Sequence, residues 1–215
     1  LRMPVLQQAV AELGVPIVAV DYRLAPEHPA PAALEDALDA YHWIVEHAEI
    51  RGWDRDRIAL MGESAGGGLA ASLALNLGHL GTRLAQLVLV YPMLDDRTQA
   101  DHGEVGRYLW DAESNAFGWE CYLGKRSGDV VAASVPARAT DLSVLPPTWI
   151  GVGTADLFAR EDIAFANRLA EAQVPVELHV TPGAFHAFDQ WVPDVLASRR
   201  FQASWMTALR TALAA

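Results

Sequence analysis

Short apolar segments alternate with helical patterns along almost the whole of this 215-residue chain. Five segments have the length and composition of β-strands: residues 17–20, 58–61, 87–91, 149–152 and 176–180. The first four are nearly continuous in apolar residues, which is typical of parallel strands covered by helices on both faces. In the fifth, Val176, Leu178 and Val180 alternate with polar residues, so we expect this strand at or near an edge of the sheet.

The segments between the strands repeat apolar side chains at steps of three and four residues, the period of an amphipathic helix. Leu34, Leu38 and Tyr41 begin one such stripe, on a helix that Pro31 opens. Further helical patterns cover residues 1–13, 65–77, 163–170 and 201–213. Because strands separated by helices need right-handed crossovers, this order predicts an α/β fold with a doubly wound, mostly parallel sheet.

One long segment, from about residue 95 to 145, interrupts this alternation. It combines Gly, Ser and Asp with aromatic residues that include Trp110, Phe117, Trp119 and Tyr122. A structureless loop of this length is unusual in a compact domain, so we expect a small helical cap or lid on the functional edge of the sheet; the alternative is a surface excursion. At about 150 residues per domain, the length of the chain predicts one domain over residues 1–215 that carries this insertion.

The charge balance argues against several classes of partner. The chain has 27 acidic and 16 basic residues, a net charge of −11, and such a field repels nucleic acid and anionic membrane surfaces. Cys121 is the only cysteine, which excludes an intrachain disulfide and a cysteine metal cluster and fits a reducing compartment. The apolar stretches are too short to span a bilayer, and the first residues lack the pattern of a signal peptide. We therefore expect a soluble, globular, cytoplasmic protein.

The most specific motif is G-E-S-A-G at residues 62–66, between a predicted strand and a predicted helix. A serine at such a sharp turn has a strained backbone, and the glycines two residues before and after it leave room where strand and helix cross. The turn pushes the Ser64 hydroxyl outward at the carboxyl end of the sheet. The amide of Ala65, at the helix N-terminus, then faces a developing oxyanion. The alternative is a glycine-rich turn with an incidental serine.

A serine hydroxyl needs a base to remove its proton and an acid to orient that base, and in this architecture they follow in the order Ser, Asp or Glu, His. Asp156 lies just after the strand predicted at 149–152, where its carboxylate would project from the same edge of the sheet as Ser64. Glu161 and Asp162 are nearby competitors. Their positions in the following helix suit capping and contact with solvent, so we favour Asp156.

His186 is the histidine that fits the position of the base. It lies in a turn-rich segment after the last predicted strand, from which a loop can bring the imidazole over Ser64. The other six histidines lie on or at the ends of helices (His42, His47, His79), within a strand (His179), or in loops too early in the chain (His28, His102). We therefore predict Ser64, Asp156 and His186 as the catalytic residues, with the Ala65 amide in the oxyanion hole.

Several motifs together resemble one family. They are D-Y-R-L-A-P-E-H-P-A-P at 21–31, G-E-S-A-G-G at 62–67, L-P-P at 145–147, Asp156, and G-A-F-H at 183–186. Over almost its whole length the chain resembles the hormone-sensitive-lipase-like branch of the α/β-hydrolases, also called α/β hydrolase fold-3 or bacterial family IV esterases. This resemblance implies that Ser64 is the nucleophile, that Asp156 orients the histidine, and that His186 is the general base and acid.

The resemblance has one further implication, and the sequence departs from the family pattern in two respects. It implies that residues 21–31 form a structural turn beneath the site, in which Asp21, Arg23 and Glu27 form an internal polar network rather than contact substrate. The family's His-Gly-Gly-Gly motif, whose amides complete the oxyanion hole, does not occur here, since the glycines at 66–68 belong to the helix after the serine. The family's first strands and N-terminal cap helices are missing too. We therefore expect the sequence to be a piece of a longer polypeptide rather than a crippled hydrolase.

We thus expect a carboxylesterase that hydrolyses short to medium acyl esters through an acyl-enzyme. The alternatives are a receptor-like ligand-binding module on the same scaffold, or a lactonase or amidase with the same three residues. No dinucleotide fingerprint, phosphate-binding loop or H-E-x-x-H motif is present, so no cofactor or metal is expected. The strand at 176–180 and the C-terminal helix could pair with a second copy of the chain to form a homodimer.

Overall fold

The computed structural model describes residues 3–98, 105–125 and 128–214, so His102 and parts of the predicted cap lie outside the described residues. The strands are β1 (Ala59–Glu63), β2 (Gln86–Val90), β3 (Thr148–Gly153) and β4 (Val176–Thr181). The helices are α1 (Met3–Leu13), α2 (Ala32–Arg51), α3 (Ala65–His79), α4 (Ala112–Leu123), α5 (Asp129–Ser134), α6 (Ala159–Glu171), α7 (Phe188–Trp191) and α8 (Leu196–Leu213), with a 3₁₀ turn at Pro136–Arg138.

The four strands form one parallel sheet in the order β1-β2-β3-β4. All residues of β2 and β3 are buried, because these strands have neighbours on both sides and helices on both faces. Glu177 and Leu178 of β4 are exposed, and β4 is an edge strand of this sheet. The predicted α/β class and the predicted edge position of this strand are therefore confirmed, whereas the homodimer through β4 and α8 stays a prediction.

The core has two layers, one on each face of the sheet. Leu87 and Leu89 of β2 pack in a cluster with residues of α2, α3 and α6. Val88 and Val90, which point to the other face, pack with Trp149 and with residues of α1 and α8. This alternation follows from the two-residue period of a strand, and it means that both faces are apolar. No helix in the described ranges combines the length and apolar character needed to cross a bilayer.

The strand predicted at residues 17–20 is wrong. These residues belong to no ladder, and Ile17 and Val18 are partly exposed, at 38% and 39%. A segment rich in strand-forming residues becomes a strand only where a neighbouring strand pairs with its backbone amides and carbonyls. In the described part of the chain, β2 is the strand that pairs with β1, and no strand covers the other edge of β1.

The polar network predicted around residues 21–31 is also wrong in its membership. Asp21 and Glu27 are exposed, and Arg23 instead bonds to two acidic residues in the first turns of α2. Its Nε lies 2.9 Å from Asp36 Oδ1, and its Nη2 lies 3.1 Å from Glu35 Oε2. These are surface ion pairs, since the side chains of Arg23 and Glu35 are 44% and 57% exposed. The two carboxylates also suit their place at the N-terminus of α2.

Within the long segment predicted as a cap, the described residues form α4, α5 and the 3₁₀ turn, joined by turns and bends. Asp111 begins α4 by accepting a hydrogen bond from the amide of Ser114 at 2.8 Å. Trp119 of α4 and Val135, after α5, then pack against Met93 and Phe158, which follow β2 and β3. The helical segment therefore covers the carboxyl ends of the central strands.

Candidate active site

Ser64 lies in a tight turn between β1 and α3, with φ 53° and ψ −122°. This positive φ is strained for a residue with a side chain. A β-carbon on Gly62 would lie 2.0 Å from the carbonyl oxygen of Gly66, and one on Gly68 would lie 2.2 Å from Met93 O. These glycines therefore allow the strand, the helix and the segment after β2 to meet. Gly66 has a different role, since a β-carbon there would meet only the Tyr22 hydroxyl, at 3.9 Å.

The backbone of Ser64 is anchored to the end of β2. Its amide donates to Val90 O at 3.0 Å, and its carbonyl accepts from the amides of Met93 at 2.9 Å and Gly67 at 2.9 Å. The amide of Ala65 has no acceptor among the described residues, and Ala65 is exposed. A free amide at the N-terminus of a helix can donate to an anion beside the Ser64 hydroxyl.

Three side chains from distant parts of the chain form a hydrogen-bonded row. Ser64 Oγ lies 2.9 Å from His186 Nε2, and His186 Nδ1 lies 2.8 Å from Asp156 Oδ2. Asp156 is fully buried and His186 is nearly so. A carboxylate beside Nδ1 keeps the ring proton on that nitrogen, so Nε2 presents its lone pair to the serine. The row can therefore pass the hydroxyl proton to the imidazole.

The loops after β3 and β4 hold the acid and the imidazole together. The amide of Ala155 donates to Ala184 O at 2.9 Å. A β-carbon on Gly153 would lie 2.1 Å from the same Ala184 oxygen, so the two loops are in close contact. Asp156 is fixed within this contact, because its Oδ1 accepts from the amide of Phe158 at 3.0 Å. The close packing fixes the direction of the carboxylate.

Aromatic rings surround the imidazole. The ring of Tyr91 lies edge-on to His186 at 4.9 Å between centroids, and that of Phe158 lies edge-on at 5.3 Å. Trp110, in the bend before α4, lies 6.4 Å away. Sequence reasoning did not identify Tyr91 or Phe158, although both follow buried strands at the carboxyl edge of the sheet, which was the available signal. The rings exclude water from the imidazole on these sides.

The prediction that Glu161 and Asp162 cap a helix or face solvent is wrong. Both are buried, because the first turn of α6 packs against the segment after β2. Glu161 Oε1 accepts from the amides of Leu94 at 2.6 Å and Asp95 at 3.2 Å, and its Oε2 accepts from the Thr98 hydroxyl. Burial raises the pKa of Glu161 to about 8, against which these hydrogen bonds act.

Asp162 is fully buried, and neither of its carboxyl oxygens has a hydrogen-bond partner in the described part of the chain. Burial raises the pKa of its carboxyl well above the usual range, and the charges of Glu161 and Asp156 raise it further. The hydrogen bond from His186 Nδ1 goes to Asp156. Of the three acids considered from the sequence, the structure therefore places Asp156 beside the imidazole.

Two cavities lie elsewhere on the molecule. One, of about 160 Å³, lies between α1 and α8, and the other, of about 350 Å³, lies between α3 and the segment that follows α4. Neither is lined by a member of the Ser64–His186–Asp156 row. Over residues 3–98, 105–125 and 128–214, no group of three or more His, Cys, Asp or Glu side chains is arranged to hold a metal ion.

Comparison with known proteins identifies the family. The sequence model of the family described as alpha/beta hydrolase fold matches residues 2–190. Esterase LipI of Mycobacterium tuberculosis is 35% identical over 201 residues, which cover 92% of this chain and 63% of that protein. Ethyl acetate hydrolase of Pseudomonas putida is 34% identical over 182 residues, which cover 82% of this chain and 57% of that protein. Mouse hormone-sensitive lipase is 43% identical over 91 residues, or 42% of this chain and 12% of the lipase.

Solved structures agree with these matches. A bacterial heroin esterase has a TM-score of 0.91 and 39% identity, and the match covers 97% of this chain and 68% of that one. Esterase LipW of Mycobacterium marinum has a TM-score of 0.88 and 37% identity, and the match covers 97% of this chain and 66% of that one. The chain belongs to the α/β-hydrolase fold family, in the branch that includes hormone-sensitive lipase, as the motifs predicted. It spans less than two thirds of LipI and of ethyl acetate hydrolase.

Proposed function

We propose that this protein is a serine carboxylesterase, in which Ser64 is the nucleophile, His186 the general base and acid, and Asp156 the group that orients the imidazole. The observation that carries the proposal is the hydrogen-bonded row, with distances of 2.9 Å and 2.8 Å across the imidazole. Both distances allow direct proton transfer. The esterases among the relatives support the same reaction class.

The reaction has two halves. As Ser64 Oγ attacks the ester carbonyl, His186 Nε2 takes the hydroxyl proton, and the negative charge moves to the carbonyl oxygen. The carbon–oxygen bond to the alcohol then breaks, and His186 gives the proton to the leaving alcohol. Water attacks the acyl-enzyme with His186 again as the base, which releases the acid and restores Ser64. Asp156 stabilises the imidazolium in both halves.

The amide of Ala65 donates to the oxyanion. It lies at the N-terminus of α3, next to the nucleophile, where the helix dipole also favours negative charge. One donor is fewer than this chemistry normally uses, and loss of a donor costs about two to three powers of ten in rate. The family's His-Gly-Gly-Gly motif is not in this sequence. We therefore expect the 215 residues on their own to hydrolyse esters slowly.

The substrates we propose are esters with short to medium acyl groups. Ethyl acetate hydrolase, a relative that is 34% identical, is named for a two-carbon acyl ester. In this chain the half-buried ring of Trp110 lies 6.4 Å from that of His186, so it can contact an acyl group bound at Ser64. A lactone or an amide would react through the same acyl-enzyme, and ligand binding without catalysis would not require the intact row.

The proposal is tested with a fluorophosphonate probe and a panel of p-nitrophenyl esters from acetate to octanoate, together with a lactone and an anilide. We expect covalent labelling at Ser64, located by peptide mass spectrometry, and fastest turnover on acetate or butyrate. Labelling without turnover of esters but with turnover of the lactone or anilide would move the assignment to that class. Reversible binding of esters without labelling would instead favour a receptor-like module and overturn the proposal.

A further inference from the structure

A hydrogen-bonded network centred on two buried side chains, Tyr91 and Asp189, joins the loop that carries His186 to the strand ends beside Ser64. We propose that Tyr91, Asp189 and Gln190 are positioning residues that hold the imidazole in line with the serine hydroxyl. This inference rests on the proposed function. None of the three lies in the row itself, and their effect would be transmitted through His186.

The hydrogen bonds of the network run in one direction. Gln190 Nε2 donates to the Tyr91 hydroxyl at 2.7 Å, and that hydroxyl donates to Asp189 Oδ1 at 3.0 Å. Asp189 is fully buried, and its other oxygen accepts from Gln202 Nε2 at 3.3 Å. Each donor in this series polarises the next, and a buried carboxylate at its end strengthens the bonds. The side chains of Tyr91 and Asp189 are fully buried, whereas Gln190 is half-buried.

The network reaches both reacting groups through the backbone. Gln190 Nε2 also lies 3.2 Å from an oxygen of Glu63, the residue directly before Ser64. Asp189 and Gln190 follow His186 by three and four residues and lie in α7. A shift of α7 would therefore move the imidazole relative to the serine, and the bonds of Gln190 oppose this shift.

Tyr91 contacts the imidazole directly. Its backbone has φ 36°, a positive value that is strained for a tyrosine, and its amide donates to Gly151 O at 2.7 Å. This conformation places the ring edge-on to His186 on one side and stacked on Phe201, with centroids 6.1 Å apart, on the other. Strained residues persist where their surroundings fix them, and here the ring and the hydroxyl are both fixed.

Positioning predicts a specific kinetic effect. The imidazole must take a proton from Ser64 and then give it to the leaving alcohol, so small errors in its position slow both steps. Substrate binding does not use the Tyr91 hydroxyl, which is buried. Loss of the network should therefore lower kcat and leave KM unchanged.

The test uses Tyr91→Phe, which removes only the hydroxyl, and Gln190→Met, which keeps the reach of the side chain but loses its donors. We expect each to lower kcat and the rate of fluorophosphonate labelling by about tenfold, and the double variant to lose little more, because both break one network. The matched control is Tyr41→Phe in α2, whose hydroxyl is hydrogen-bonded to Thr82, away from the row. In proton NMR, the His186 Nδ1 proton should broaden in the two variants and not in the control.

The outcomes separate the two proposals. If the unaltered protein does not react with the fluorophosphonate, the proposed function fails, and the positioning network fails with it. If it reacts, and Tyr91→Phe and Gln190→Met react at the same rate, the function stands and the network is overturned. A similar loss in Tyr41→Phe, or a loss explained by the unfolded fraction in thermal melts, would also overturn the network.

Discussion

A β-carbon on Gly62 would lie 2.0 Å from the carbonyl oxygen of Gly66, so the two glycines of the G-x-S-x-G motif are in direct backbone contact. The surroundings of the two glycines differ. Gly62 faces the main chain of α3, which cannot move without shifting the helix, whereas Gly66 faces an opening bounded by the Tyr22 hydroxyl at 3.9 Å. The motif therefore combines one glycine required by packing with one that packing does not require.

This difference predicts opposite results for two alanine substitutions. Gly62→Ala should lower the free energy of unfolding by more than about 3 kcal/mol, because a helix must be displaced to admit the methyl group. Gly66→Ala should be neutral or stabilising by up to about 1 kcal/mol, because residue 66 lies in the first turn of α3 and a methyl group there meets only an ordinary contact. Urea unfolding of both variants measures the difference. Equal losses would contradict this account of the turn.

Ser64→Ala should abolish ester hydrolysis, with a loss of at least about a thousandfold in kcat, because the nucleophile is removed. The fold should be retained, since the strained backbone is held by hydrogen bonds from the main chain. The control is Ser72→Ala in α3, the helix that follows Ser64; the buried hydroxyl of Ser72 has no partner among the described residues. That variant should keep full activity. Retention of most activity by Ser64→Ala would refute the assignment of the nucleophile.

Asp156→Asn should lower kcat by at least about a thousandfold, because an amide beside His186 Nδ1 no longer fixes the tautomer or stabilises the imidazolium. Asp162→Asn tests an acid in the first turn of α6 that is buried as completely as Asp156. It should leave kcat within about threefold, since Asp162 makes no hydrogen bond to the imidazole. The kinetics of the two variants with p-nitrophenyl acetate provide the comparison, and a reversed order would exchange the roles of the two acids.

The buried carboxyl of Glu161 predicts a dependence of stability on pH. Burial raises its folded-state pKa to about 8, so the folded protein retains a proton that the unfolded chain loses near its ordinary pKa of 4.5. The stabilisation is therefore fully present below about pH 4.5 and is lost as the pH rises towards 8, by at most about 1.4 kcal/mol per pH unit. Urea unfolding between pH 5 and 9 measures this slope.

Glu161→Gln isolates that contribution, because the amide cannot ionise but can still accept from the amides of Leu94 and Asp95. Its free energy of unfolding should fall less steeply with pH than that of the unaltered protein. Below about pH 4.5 the two curves should be parallel, because Glu161 no longer contributes a slope there. Asp162 contributes a slope of the same sign in both proteins. Parallel curves over the whole range would contradict the raised pKa.

Local patterns predicted most elements correctly, and the failures share a cause. The predictions at 58–61, 87–91, 149–152 and 176–180 differ from β1 to β4 only at their ends. Residues 17–20 have an equally apolar composition but belong to no ladder, because the described chain offers no neighbouring strand there. Composition states the preference of a segment, whereas a strand also needs a partner for its backbone groups.

The acids of α6 show the same limit. A carboxylate in the first turn of a helix usually caps it or faces water, yet Glu161 and Asp162 face inward because the helix packs against the segment after β2. The network of Tyr91, Asp189 and Gln190 had no local signal at all. It exists because strand ends and a short helix that are far apart in the sequence meet at one edge of the sheet.

The sequence by itself determined the alternation of strands and helices, the family, and the order in which a serine, an acid and a histidine follow the strands. These features depend on periodicity and on residue types at fixed spacings, which are local. Tertiary structure alone decided that Ser64 Oγ and His186 Nε2, 122 residues apart in the chain, lie 2.9 Å from each other. It also decided that Asp156, rather than Glu161 or Asp162, accepts the hydrogen bond from His186 Nδ1. Such distances are fixed by the packing of loops from several strands, and no local pattern encodes them.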